Sequence, residues 1–103
     1  MKRTMFAILV IICTATSFAQ TEISGTVKDA AGVPILGANV LILGTTEGTT
    51  TDFDGNFFIS TSLSGTQTIR ISFIGFSPNE QTVQLSGSAV ELNVVLRESD
   101  QQL

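Results

Sequence analysis

Residues 24–58 read SGTVKDAAGVPILGANVLILGTTEGTTTDFDGNFF, and residues 70–76 read RISFIGF. Glycines fall where short apolar runs must reverse direction. Asp52-Phe53-Asp54-Gly55 lies between a threonine-rich run and an aromatic one. An aspartate side chain bonds backbone N–H groups two residues on, and glycine takes positive φ at no steric cost, so this quartet predicts a tight turn. Strand, turn, strand is the reading of the whole stretch, and it decides the fold class.

Outward from there the period is two, and no window sustains a helix of useful length. Ile23, Gly25 and Val27 alternate with Ser24, Thr26 and Lys28. Asp29-Ala30-Ala31-Gly32 turns the chain, and Pro34, which has no N–H for a ladder, marks a bend. Residues 39–43 (NVLIL) are apolar on both faces, as expected of a well-covered strand. Residues 48–51 are short and polar. In residues 56–61, Phe57 and Ile59 oppose Phe58 and Ser60. Over residues 68–74, Ile69, Ile71 and Phe73 are expected to face inward, with Arg70 and Ser72 outward. Val83 and Leu85 alternate with Thr82, Gln84 and Ser86. Val90, Leu92, Val94 and Leu96 alternate with Glu91, Asn93 and Val95. Six or seven short strands at this spacing predict an all-β chain, an antiparallel β-sandwich around one apolar core.

The N-terminus is of a different kind. Lys2 and Arg3 precede an apolar run at residues 6–12 (FAILVII), and Ser17-Phe18-Ala19 forms a small-x-small site. That is the pattern of an export signal peptide over residues 1–19, cleaved after Ala19. The apolar run is far short of the roughly 20 residues a membrane-spanning helix needs. Cys13 raises the question of lipid attachment, but bulky Ile12 stands where such a signal wants a small residue. Cleavage after Ala19 removes Cys13 and leaves no thiol for a disulfide, a nucleophile or a thiolate metal ligand.

From Gln20 onward nine acids face only Lys28, Arg70 and Arg97, a net charge of −6. A chain with no basic patch has nothing to release counterions from phosphates, so no nucleic-acid partner is expected. Electrostatic docking on an anionic membrane is disfavoured for the same reason. The 84 residues after the signal make one domain. A chain of that size buries roughly 60–65% of its unfolded surface. It is too short to build a transmembrane barrel, and no membrane insertion by this segment is expected.

Catalysis finds little to work with. Histidine, tyrosine and tryptophan are absent, which excludes histidine-based triads and histidine-ligated metals. Asp52 and Asp54 come nearest to a carboxylate pair, yet paired carboxylates of glycoside hydrolysis flank a substrate cleft, which a hairpin tip does not supply. Asp52, Asp54 and Asn56 also alternate as calcium ligands do. A full loop needs a bidentate glutamate at its twelfth position and helices on both sides; here that position is Leu63 and the flanks are strands. The turn is the preferred reading, and no catalytic, cofactor-binding or metal residue is assigned.

Binding surfaces remain. Thr45, Thr46, Thr49, Thr50 and Thr51 offer hydroxyls that could meet a sugar or peptide, although β-propensity on a solvent-facing strand accounts for them first. Phe53, Phe58 and Phe76 are the aromatics expected to be most exposed. A cluster of them would mark a partner surface, with core packing the preferred account. The short polar strand at residues 48–51 is a candidate edge for a periplasmic protein partner, bound by strand addition.

These residues carry a resemblance. The order Ser24-Gly25-Thr26-Val27-x-Asp29, Gly32-x-Pro34-x-x-Gly37-Ala38-x-Val40, Gly44-Thr45, Gly48-Thr49-x-Thr51-Asp52-x-x-Gly55-x-Phe57 and Ser72-Phe73-Ile74-Gly75-Phe76 is similar to the carboxypeptidase-regulatory-like (CarboxypepD_reg-like) domain. More narrowly it resembles the version found at the N-terminus of SusC/RagA-type TonB-dependent outer-membrane receptors, over residues 23–97. There the domain comes after a signal peptide and precedes the TonB box, plug and barrel, none of which this sequence contains. The family's name refers to an accessory domain, not to a zinc enzyme.

The resemblance implies a seven-stranded transthyretin (prealbumin)-like sandwich over residues 20–97, and a linker at residues 98–103 leading toward a TonB box. It implies a non-catalytic N-terminal extension of a TonB-linked receptor for glycans or peptides, exported and held at the periplasmic face of the outer membrane. The downstream plug and barrel of the parent receptor are the implied partners. The alternative is a stand-alone secreted or periplasmic β-sandwich module for binding or adhesion.

Overall fold

The computed structural model describes residues 20–99. The export signal read over residues 1–19 and the tail at residues 100–103 lie outside the described residues. Seven strands form: β1 (Thr21–Asp29), β2 (Asn39–Ile42), β3 (Gly48–Thr50), β4 (Asn56–Thr61), β5 (Gly65–Ser72), β6 (Asn79–Leu85) and β7 (Val90–Leu96). They make a three-stranded sheet in the order β4-β1-β7 and a four-stranded sheet in the order β3-β2-β5-β6. The expected all-β, seven-stranded sandwich is what the chain forms.

Four of the five strand pairs are antiparallel, and one, β1 with β7, is parallel. Parallel neighbours cannot be joined by a tight turn and need a long crossover. Here the rest of the domain is that crossover, so local alternation in either strand could not reveal the pairing.

The alternation places the core. Ile23 and Val27 of β1, Val40 and Ile42 of β2, Phe57 and Ile59 of β4, Ile69 and Ile71 of β5, Leu85 of β6 and Val94 and Leu96 of β7 are all buried between the sheets. Ile35 and Ala38, from the connection between β1 and β2, close one end. Full burial of each of these side chains other than Ala38 is worth about 1.5–3 kcal/mol. Gly25 belongs to this set by its absence of a side chain: a Cβ there would lie 2.7 Å from the Phe57 ring. The buried polar side chains Thr21, Thr51 and Thr61 are all hydrogen-bonded; among the described residues no buried side-chain nitrogen or oxygen lacks a partner.

Two expectations are corrected. The run at residues 39–43 is not covered on both faces, because a two-layer sandwich buries only the inner face of each sheet; Leu41 is 36% exposed on the outer one. And β5 starts at Gly65 and ends at Ser72, so Phe73 lies in a turn closed by the Phe76 N–H donating to the Phe73 carbonyl (3.1 Å). Its ring still packs on the core and against Phe76, with centroids 5.9 Å apart.

Candidate functional site

The two aspartate quartets are the same device used twice. In the first, Asp29 Oδ1 accepts the Ala31 and Val33 N–H groups at 2.9 Å each. The Asp29 carbonyl accepts from Gly32 N–H (3.0 Å), and the Asp29 N–H donates to the Val33 carbonyl (2.9 Å). In the second, Asp52 Oδ1 accepts from Asp54 and Asn56 at 2.9 Å each. The Asp52 carbonyl accepts from Gly55 (3.0 Å), and its N–H donates to the Asn56 carbonyl (2.9 Å). Gly32 and Gly55 stand at φ of 84° and 76°. The alternation that suggested calcium thus places Asp52 to cap its own turn. Asp54 stays exposed at the tip.

The second turn is also tied to the body of the sandwich. The Val27 N–H donates to the Gly55 carbonyl (2.8 Å), and the Val27 carbonyl accepts from Ile35 (3.0 Å). Thr51, 3% exposed, fastens the preceding loop: its hydroxyl donates to the Ile35 carbonyl (2.6 Å) and accepts from Ala38 N–H (2.8 Å). Its own N–H donates to the Ala38 carbonyl (3.0 Å), and its carbonyl accepts from Gly37 (3.1 Å). Thr45 Oγ1 likewise donates to the Ile42 carbonyl (2.7 Å) and accepts from Glu47 N–H (3.0 Å). Of the threonine stretch, Thr46 and Thr50 are exposed and Thr45 and Thr49 half-buried, and the Thr45 hydroxyl is already engaged, which leaves Thr46, Thr49 and Thr50. A hydroxyl-lined surface shrinks to those three.

The aromatics divide. Phe76 is half-buried, as core packing requires, but Phe53 is 85% and Phe58 55% exposed, which corrects that account for both. Phe53 sits second in the turn capped by Asp52. Phe58 occupies the outward phase of β4 between two core residues. Ile74, at the tip of the turn after β5, is 88% exposed.

Two shallow grooves accompany these residues. One, of about 560 Å³, runs over Leu41, Gly48, Thr50 and Arg70 on the outer face of the four-stranded sheet. The other, of about 710 Å³, lies among Phe73, Ile74, Phe76, Pro78 and Ser99. It lies where residues 97–99 are strapped to the loop after β5. Ser77 N–H donates to the Arg97 carbonyl (2.9 Å), Ser99 N–H to the Gly75 carbonyl (3.1 Å), and Phe76 bridges Glu98. Sequence reasoning missed this strap, since Arg97-Glu98-Ser99 carries neither apolar alternation nor a turn signal. Ser99 lies beside Ile74 on the rim of this groove.

Comparison with known proteins places this geometry. The CarboxypepD_reg-like domain family model matches residues 23–103. The chain is 46% identical over 79 residues to the TonB-dependent receptor SusC of Bacteroides thetaiotaomicron, a match covering 77% of this chain and 7% of that receptor. It is 39% identical over 66 residues to the TonB-dependent receptor P39 of Formosa agariphila, covering 64% of this chain and 6% of that receptor. The chain thus spans less than a tenth of the length of either. Among solved structures it is similar to a chain of a type II cohesin–X–dockerin complex from Acetivibrio cellulolyticus, with a TM-score of 0.68, 26% identity, and coverage of 81% of this chain and 61% of that one. Hydroxyquinol 1,2-dioxygenase from Pseudomonas putida shares the fold alone, with a TM-score of 0.64 at 10% identity, covering 78% of this chain and 57% of that one.

Proposed function

Because the chain belongs to the CarboxypepD_reg-like domain family, we propose that it serves as the non-catalytic N-terminal extension of a TonB-linked outer-membrane receptor for glycans or peptides. The observation that carries this reading is the 46% identity to SusC over 79 residues. In this reading the sandwich is exported, folds on the periplasmic face of the outer membrane, and is succeeded in the chain by the receptor's plug and barrel.

Its mechanism is positioning and binding. Aspartates 29 and 52 cap their own turns, and histidine and tyrosine are missing from the sequence, so no acid–base or nucleophilic constellation supports catalysis. The strap holds Arg97 to Ser99 against the loop that carries Ile74, a large apolar side chain at a loop tip. An exposed apolar residue beside this strap suits a contact with the neighbouring part of the same receptor.

Reading the coding DNA past the codon for Leu103 tests this. The expected result is an open frame running into a plug and a long series of alternating strands. A stop codon directly after Leu103 would replace it with the second reading, a stand-alone secreted or periplasmic binding module. The likeness to a chain of the cohesin–X–dockerin complex favours that alternative, since there a similar sandwich sits in a protein–protein assembly.

A further inference from the structure

The sandwich has four edge strands, β4 and β7 in one sheet and β3 and β6 in the other. They are not protected alike. β3 is three residues long, and β6 and β7 carry Glu80 and Glu91. The flank between β6 and β7 is further closed by the bond from Ser77 to Arg97. β4 is six residues long, NFFIST, with no charge and no proline. It opens an uncharged run from residue 55 to residue 69. Edge strands are ordinarily blunted by a charge, a proline, a bulge or shortness, and β4 has none of these.

The hydrogen-bond phase says which groups face outward. β1 and β4 pair with Thr26 opposite Asn56 and Ser24 opposite Phe58, and the Val27 N–H donates to the Gly55 carbonyl (2.8 Å). In an antiparallel ladder the residues exchanging bonds alternate with those that do not. Gly25 and Ile23 therefore exchange bonds with Phe57 and Ile59, while Phe58 and Ser60 direct their N–H and C=O groups away from β1. Asn56 is spoken for: its N–H donates to Asp52 Oδ1 (2.9 Å) and its carbonyl accepts from Asp52 N–H (2.9 Å). The turn closes one end of the edge and leaves a window at Phe58 and Ser60, with the half-exposed Phe58 ring on the outer face beside it.

Alternating donors and acceptors at strand spacing, flanked by an aromatic ring, fit another extended backbone. Charge selects its side chains. On the outer face, Glu22 of β1 stands across from Ser60, and both are exposed. Ser60 is small, so a long basic side chain opposite it can reach over to the Glu22 carboxylate. The outward-phase position opposite Phe58 faces a ring and no charge. Lys28 lies two residues past the last pair, Thr26 with Asn56, beyond the turn end of the window.

We propose that the open edge of β4 binds an extended segment of another polypeptide in antiparallel register. The segment has the pattern Lys/Arg-x-apolar, its apolar residue opposite Phe58 and its basic residue opposite Ser60. The proposal goes beyond the receptor reading and does not depend on it.

The test is amide hydrogen exchange on the chain purified after signal removal, with the blocked peptide STKTVTNT as probe and STETVTNT as its charge-reversed control. Millimolar STKTVTNT is expected to slow exchange at Phe58 and Ser60 saturably. Since cross-strand pairs differ by up to about 1 kcal/mol, the control should bind about fivefold more weakly, as should Phe58→Lys against the original probe. No slowing at Phe58 and Ser60, equal binding of the two peptides, or protection at β3 or β6 instead would each overturn the proposal. Slowing at Phe58 and Ser60 that grows with protein concentration without peptide would overturn it too, naming a second copy as the occupant. The peptide control needs no variant, so the test stands even where Phe58→Lys alters folding.

Discussion

Gly32 and Gly55 occupy the same place in the same turn, at φ of 84° and 76°, yet their surroundings differ completely. A Cβ on Gly32 meets nothing within 4 Å. A Cβ on Gly55 would lie 2.5 Å from the Val27 carbonyl oxygen, 3.1 Å from Pro34 Cβ and 3.3 Å from Ile35 N. Alanine at either site takes on left-handed strain of about 1–2 kcal/mol. A stiffer unfolded chain offsets about 0.4–1 kcal/mol of that. Gly32→Ala should therefore cost about 1 kcal/mol. At Gly55, overpacking adds about 1–3 kcal/mol. The contact falls on backbone atoms that also bond Val27 to Gly55 and Ile35 to Val27 (2.8 and 3.0 Å), so little can yield cheaply. Gly55→Ala should cost about 2–4 kcal/mol, and Gly55→Val at least as much. In a domain this size each kcal/mol moves Tm by about 4–8 °C. Without tryptophan or tyrosine the fluorescence signal is poor, so urea unfolding is followed by far-UV circular dichroism. Equal costs at the two sites, or a larger cost at Gly32, would refute the packing half of the reasoning and leave only backbone strain.

Other perturbations obey the same logic. Thr51→Val keeps the shape but strands the Ile35 carbonyl and Ala38 N–H, and should cost about 2–4 kcal/mol in urea titration, while Thr51→Ser recovers most of it. Ile42→Ala, at a site with no exposed surface, should cost about 2–5 kcal/mol by the same measurement. Ile74→Ser should leave the stability of the isolated domain within about 0.5 kcal/mol, because the side chain is almost wholly in solvent. Ending the chain at Leu96 removes the strap bonds to Gly75 and Ser77; a loss of about 1–3 kcal/mol and faster amide exchange at Ser77 are expected.

Most of the fold was legible because a two-layer sandwich writes itself in local alternation. Ile23 and Val27, Phe57 and Ile59, Ile69 and Ile71, and Val94 and Leu96 all lie on the inner face that their phase assigned. The aspartate turns were legible because their chemistry is contained within five residues. What escaped depends on pairs far apart in the chain. The parallel register of β1 on β7 joins Ile23 to Val90 across the whole domain. The clamp by Thr51 needs Ile35 and Ala38, 16 and 13 residues away, and nothing in a run of three threonines separates the buried one from its neighbours. Leu41 was misjudged for a related reason: an apolar residue between two apolar neighbours looks covered until the layer count is known. The surfaces were the least legible, since no local signal tells an aromatic in the outward phase of an edge strand from one in a covered strand.

The exceptions to the pattern are the informative residues. Phe58 stands where the outward phase of β4 calls for a polar side chain, and Ile74 where a loop tip does. Neither contributes to the core cluster, and both expose apolar surface, as Phe53 and Val95 also do, on a domain of net negative charge. Local rules that fail without any gain in packing point to contacts outside the fold. Their placement separates the two contacts. β4 forms one edge of the three-stranded sheet, while the loop bearing Ile74 is strapped to the chain just after β7, the strand at the other edge. A partner strand on β4 would extend that sheet without touching the strap at Ser99. The two surfaces can therefore be occupied together, and substitutions at Phe58 and Ile74 should act independently and add.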